Sequence, residues 1–196
     1  FNNTIILTVV SATSVVAVSV AMSVVTTRST LKGRRLLDGI AMLPHVVPGV
    51  AFAFALLVFG ILLNRFVGIP LYGSLTIILL GVLVERIPFA TRITNAAMLQ
   101  LHKEIDEGAE MCGATRLQTI RRVIVPLIAP SLVYSAIWVA LLALREVTIP
   151  LLLSGPDNVV VSVRIWTLWA TGQYGSAAAI GLSMSTVGTL WSSVAI

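Results

Sequence analysis

The residues from Ile5 to Val25 carry no charge, and that run restricts the chain more than any other feature. A helix needs about 20 apolar residues to cross a bilayer, and in lipid every backbone polar group must be satisfied within the segment. Similar stretches recur at Leu36–Leu63, Ser74–Ile93, Val123–Leu144 and Ala177–Ile196. The sequence therefore predicts an all-α fold, a polytopic transmembrane bundle of about five membrane helices. Composition agrees. Charged residues make up 11% and hydrophobic residues 57% of the chain, with mean hydropathy +0.99, whereas a soluble domain carries about 25% charged residues.

The segments differ in their polar details. In the first, Ser19 and Ser23 stand one helical turn apart and would let a neighbouring helix approach. The second contains Pro44, His45, Pro48 and Gly49, a pattern that kinks a helix. Asn64–Gly73 reads as a turn-rich loop. The third holds Glu85 and Arg86. Ionisable groups at membrane depth face a bundle interior or a watery cavity, unless they lie near the surface and snorkel. Neighbours on a helix point about 100° apart, so the two are expected to find partners on other helices rather than each other. The fourth ends at Arg145 and Glu146, which either mark its outer mouth or, because apolar sequence resumes at Ile149, lie below the surface on the translocation path. In that case Arg86 and Glu85 are their opposite-charge candidates. Ser154–Asn158 is a turn signal. Val159–Trp169 is a short amphipathic element whose Trp166 and Trp169 suit the membrane interface. Ala177, Gly181 and Ser185 form a small-residue stripe suited to close packing.

One long polar stretch interrupts this pattern. From Glu104 to Pro126 acids come first (Glu104, Asp106, Glu107, Glu110) and bases second (Arg116, Arg121, Arg122), with Gly113 between. The order matches two helices whose dipoles favour acids at the N-terminus and bases at the C-terminus, joined at a glycine free to adopt positive φ. Pro126 begins the next segment, where a first-turn proline is tolerated. Glu107, Gly108, Ala109, Gly113, Val123, Val125 and Pro126 keep the spacing E-A-A, three residues, G, nine residues, I-x-L-P. Gly108, Val123 and Val125 depart from it in residue type. In this the stretch resembles the cytoplasmic loop of permease subunits of ATP-binding-cassette (ABC) importers. The L-P-x-x-x-P-G run at Leu43–Gly49 and the PFATR run at Pro88–Arg92 are similar to that family as well.

The resemblance implies a single permease domain over residues 1–196 in the bacterial inner membrane. Its coupling residues would be Glu104, Glu107, Gly108, Ala109, Gly113, Val123, Val125 and Pro126, with Glu85, Arg86, Arg145 and Glu146 along the path. It implies a second permease half (a homodimer or a fused pair), ATP-binding subunits that hold ATP and Mg, and an extracytoplasmic substrate-binding protein. No cofactor is expected on this chain. Because it begins at Phe1, a missing N-terminal helix or fused half is expected. The L-R-E run at Leu144–Glu146, the Ser162–Trp166 run and the Gly172–Ala179 run resemble ferric-iron permeases. Thiamine, polyamine and aminophosphonate importers share much of the pattern. The rival from another class is a secondary transporter or channel with Glu85, Arg86, Arg145 and Glu146 as an ion relay. A non-transporting membrane scaffold is a third reading.

Basic residues set the orientation. Arg28, Lys32, Arg34, Arg35, Arg92, Lys103, Arg116, Arg121 and Arg122 fall in proposed cytoplasmic loops, against Arg65 and Arg164 outside. The same bias accounts for the pI of about 10.1 without nucleic acid. Cys112 is the single cysteine, so no internal disulfide and no metal site is expected. No nucleotide-binding or hydrolase motif is present, so no catalytic residue is assigned. The first apolar run lacks the flanks of a signal peptide.

Overall fold

The computed structural model describes residues 1–29, 31–102 and 104–193, with backbone only at 187 and 190–193. Lys103 and the end of the fifth expected segment, 194–196, lie outside the described residues. Among those described there is helix and no strand.

Helix α1, Asn2–Ser23, runs through the centre of the bundle between α4, Leu75–Gln100, and α8, Ala129–Leu144. Its inward stripe is small and polar: Thr4, Thr8, Ser11, Ala12, Ser19 and Ser23 are buried, with Leu7 and Val15. Small side chains let helix axes approach closely. The Ser19 and Thr94 hydroxyls meet at 3.1 Å across the α1–α4 contact, so the close approach expected at Ser19 and Ser23 is present. Ile5, Ile6, Val9 and Val10 face outward, as lipid- or partner-facing groups do. Three core layers stack along α1. Leu7 packs with Ile77, Ile78, Val82 and Ile149 at one end. Ala12 and Val15 meet Ala90, Val139 and Ala140 in the middle. Val20 and Val24 meet Met98, Ile124 and Ile128 at the end bearing the polar loop. There α1 passes into a π-helical turn, Val24–Arg28.

The second expected segment is not one membrane helix. It is α2, Arg34–Val46, and α3, Gly49–Val67, separated by extended backbone at Val47 and Pro48. Pro48 drives its predecessor Val47 out of the helical region, whereas Pro44 is accommodated inside α2. The crossing helix is α3 alone, and it continues through Asn64 to Val67, residues expected in the loop. Gly68, at φ 75°, ends it.

The fourth segment also begins later than expected. Residues before Ile128 form a separate arm: α6, Arg116–Thr119, a π-helical turn at Ile120–Ile124, and α7, Val125–Leu127. The arm meets α8 at a bend of 71°. Pro130 sits in the first turn of α8, after the bend at Ile128, where a missing N–H costs nothing, whereas Pro126 lies at the start of α7, which continues directly from the π-helical turn. Beyond α8 come α9, Thr148–Leu153, α10, Val161–Ala170, and α11, Tyr174–Ser193. Among the described residues, length and apolarity qualify two helices as spans, Asn2–Arg28 and Gly49–Val67, and the bent pair as a third. Helix α4 is long enough, but Glu85, Arg86 and Arg92 interrupt its apolar sequence.

Opposite the polar loop, hydrogen bonds knit the connections together. Asn158 donates to the Gly73 carbonyl at 2.9 Å and accepts from the Gly155 N–H at 2.5 Å. Thr4 accepts from the Val161 N–H at 2.9 Å. The turn expected at Ser154–Asn158 is therefore a pinned turn. The stripe at Ala177, Gly181 and Ser185 does not pack closely along its length. Ala177 is buried, but a Cβ at Gly181 would meet nothing within 4 Å, because a cavity opens there between α8 and α11.

Candidate functional site

The polar stretch folds locally as its sequence dictates. Helix α5, Glu104–Met111, carries Glu104, Asp106 and Glu107 in its first turn, where they complement the helix dipole. No residue of it is buried. Gly113 ends it at φ 81°. Its N–H reaches the Glu110 carbonyl at 2.9 Å, and that of Ala114 reaches Ala109 at 3.0 Å, the two bonds of a Schellman turn. Gly108 faces open space, so an exposed α5 tolerates it despite a helix cost of roughly 1 kcal/mol. Thr115 and Gln118 then cap α6 reciprocally, with Thr115 N–H to Gln118 Oε1 at 2.8 Å and Gln118 N–H to Thr115 Oγ1 at 3.4 Å. That T-x-x-Q box stood in the sequence and was missed. Val123 and Val125 are half-buried in the arm and Pro126 is exposed.

A further missed residue holds this loop. Arg28, at the end of the π-helical turn that follows α1, donates to Asp106 of α5 at 2.5 Å and to the carbonyls of Met98 and Leu101 at 3.0 and 2.9 Å. Arg116 donates to the Arg28 carbonyl. The sequence placed Arg28 among the basic loop residues, and its partner lies 78 residues away.

The charges within the membrane segments are partly paired. Arg86 binds Glu146 and also approaches Glu85 at 3.5 Å. The expectation that Glu85 and Arg86 do not pair is therefore corrected: arginine's long side chain overcomes the angular offset and spans both carboxylates. Glu146 is fixed further by the Thr148 N–H at 3.0 Å, and its carbonyl accepts from Ser162. Glu85 Oε1 lies beside Gly49 at the α2–α3 break. Arg145 departs from the expected pairing with Glu85. Among the described residues it makes no ion pair, and it lines a cavity of about 450 Å³ with Trp138, Leu141, Leu144, Gly181, Met184 and Ser185. Near the loop end, Arg92 and Asp38 approach to 3.7 Å. Among the described residues, no three His, Cys, Asp or Glu side chains are placed to hold a metal ion.

The family model described as "Binding-protein-dependent transport system inner membrane component" matches residues 13–195. The chain belongs to that family. It is thus a multi-pass protein of the bacterial inner membrane, and the resemblance carried by Glu107 to Pro126 is correct. Among relatives, an Fe(3+)-transport system permease of Haemophilus influenzae is 26% identical over 76% of this chain and 28% of its own length. A ferric transport permease of Actinobacillus pleuropneumoniae is 25% identical over 91% of this chain and 26% of its own. A sulfate transport permease of Salmonella typhimurium is 34% identical over 57% of this chain and 43% of its own. The chain thus spans under a third of the two ferric permeases' length. The fold is that of solved transporters. A chain of an alginate ABC importer aligns with TM-score 0.81 and 22% identity, covering 99% of this chain and 75% of that one. A chain of the MetNI methionine ABC transporter aligns with TM-score 0.78 and 17% identity, covering 98% and 89%.

Proposed function

We propose that the chain is the membrane permease subunit of an ATP-driven ABC importer, forming part of the substrate path and receiving the ATPase stroke through Glu104–Pro126. The observation that carries this reading is the exposed α5, closed by Gly113 and displayed by the capped arm at one end of the bundle. Glu104, Glu107, Gly108, Ala109 and Gly113 present the docking face, and Val123, Val125 and Pro126 join it to α8. ATP and Mg belong to separate ATP-binding subunits. A second permease half, as a homodimer or fused pair, completes the path, and an extracytoplasmic binding protein delivers cargo. A relative in fold has been seen in complex with an alginate-pentasaccharide-bound periplasmic protein.

Along the path, the Arg86–Glu146–Glu85 cluster ties α4 to the turn after α8, and Arg145 presents a cation to the cavity between α8 and α11. The cargo we propose is ferric iron, on the ferric permeases among the relatives. A second reading rests on Arg145. An arginine without an acidic partner at membrane depth favours an anionic cargo, and sulfate permeases are among the relatives. The test is copurification of ATP-binding subunits with the tagged chain, followed by ATP-dependent uptake of radiolabelled ferric iron or sulfate into proteoliposomes. Uptake driven by an ion gradient without an ATPase subunit would replace this reading with the charge-relay transporter.

A further inference from the structure

We propose that Arg28 is a positioning residue for coupling: it clamps α5 to the end of α1, so that motion of the loop travels along α1 to the opposite side of the bundle. The inference rests on the importer reading.

The clamp is built from specific bonds. The Arg28 side chain is 7% exposed and its partner Asp106 27%. One nitrogen of the guanidinium binds Asp106 of α5 and the other binds the last carbonyls of α4, at Met98 and Leu101. Its own carbonyl accepts from Arg116 of α6. One residue therefore joins α1, α4, α5 and α6. Among the described residues, Asp106 is the only α5 side chain hydrogen-bonded to a membrane-helix residue. Along the backbone, the route from α5 towards α8 passes a π-helical turn and a 71° bend. Arg28 also reaches α1 through a π-helical turn, Val24–Arg28, but that turn is braced against α4 by the Thr26 and Thr27 side chains.

The rest of α1 is suited to carry a displacement. It is packed along its length by three core layers. The turns beside the clamp are tied as well: Thr26 donates to Asn95 at 3.1 Å and Thr27 to Met98 Sδ at 3.5 Å. At the far end Thr4 accepts from Val161, the first residue of α10, and Asn3 donates to the Asp157 carbonyl at 3.2 Å. A rod fixed to the loop at one end and to the α9–α10 connection at the other links the two sides of the bundle directly. Coupling requires an element whose contacts both sites bias, and α1 touches both.

The chemistry also makes the residue type specific. A guanidinium binds a carboxylate and two carbonyls at once through its fixed fork, whereas a lysine ammonium keeps the charge but not that geometry. The test uses the full complex with its ATPase subunits and binding protein in proteoliposomes, with radiolabelled ferric iron and radiolabelled sulfate as probes. The variants are Arg28→Lys, Arg28→Met and Asp106→Asn. Assembly, ATP hydrolysis and cargo moved per ATP are measured for each. We expect Asp106→Asn and Arg28→Lys to assemble and hydrolyse ATP like the wild type, with cargo per ATP falling about tenfold. Arg28→Met should fall further. If Arg28→Met fails to assemble, Asp106→Asn decides, because it leaves the two carbonyl bonds of Arg28 in place. An unchanged ratio in both Asp106→Asn and Arg28→Lys overturns the clamp. Failure of the wild type to assemble with ATP-binding subunits, together with absence of ATP-driven uptake of either probe, overturns the importer reading and the clamp with it.

Discussion

At Gly113 a single φ of 81° decides whether α5 ends where it does. A β-branched residue held there costs about 1–3 kcal/mol, whereas asparagine visits this region more readily. Gly113→Val should therefore abolish uptake while the chain still inserts, and Gly113→Asn should retain most of it; uptake and membrane content of the two variants check this. The glycine was legible because its requirement is local. The ion pairs were legible only in part. Glu146 with Arg86 was a candidate from charge alone, but which carboxylate Arg86 prefers depends on side chains 60 positions apart. Glu146→Gln with Arg86→Gln should show a coupling energy on the order of 1–3 kcal/mol in a double-mutant cycle read by denaturation in detergent. Arg145→Gln with Glu85→Gln should be additive, because those two are not paired.

At the scale of elements, helices form where apolar length demands them, and they break where proline and glycine permit. The kink expected at Pro44–Gly49 is present as a full break at Val47–Pro48, whereas the bend at Ile128 falls inside Val123–Leu144, a stretch expected to be one segment despite its prolines. Proline fixes its own φ and constrains its predecessor, but the angle between flanking helices depends on what each one packs against. Close packing shows at Gly81 of α4, where an added Cβ would lie 2.8 Å from Leu56 and 3.0 Å from Ile149. Gly81→Val should destabilise the bundle by about 1–3 kcal/mol through overpacking, measured as a lower melting temperature in detergent. Gly181→Ala should leave it unchanged, because that position faces the cavity.

For the whole molecule, the bias of the basic residues predicts a cytoplasmic polar loop. The exposed Cys112 is a native reporter of that side. A membrane-impermeant thiol reagent should label it from the cytoplasm only. In a Cys112→Ser background, Asp157→Cys should be labelled from outside only; Asp157 is exposed, whereas the neighbouring Asn158 is 6% exposed and pins the turn. Labelling on the opposite sides would reverse the orientation. The amino-acid sequence by itself determined the helical class, the membrane environment and the loop motif, and predicts the sidedness, because each follows from hydropathy, backbone satisfaction or charge within a short window. Only the tertiary structure decided that α1 runs between α4 and α8 at the centre of the bundle, that Arg28 holds Asp106, that Arg86 spans two carboxylates while Arg145 makes no ion pair among the described residues, and that α11 leaves a cavity beside α8. Those outcomes depend on which helix faces lie together. Helix faces are selected by packing small and large side chains across many turns, so they have no local signature.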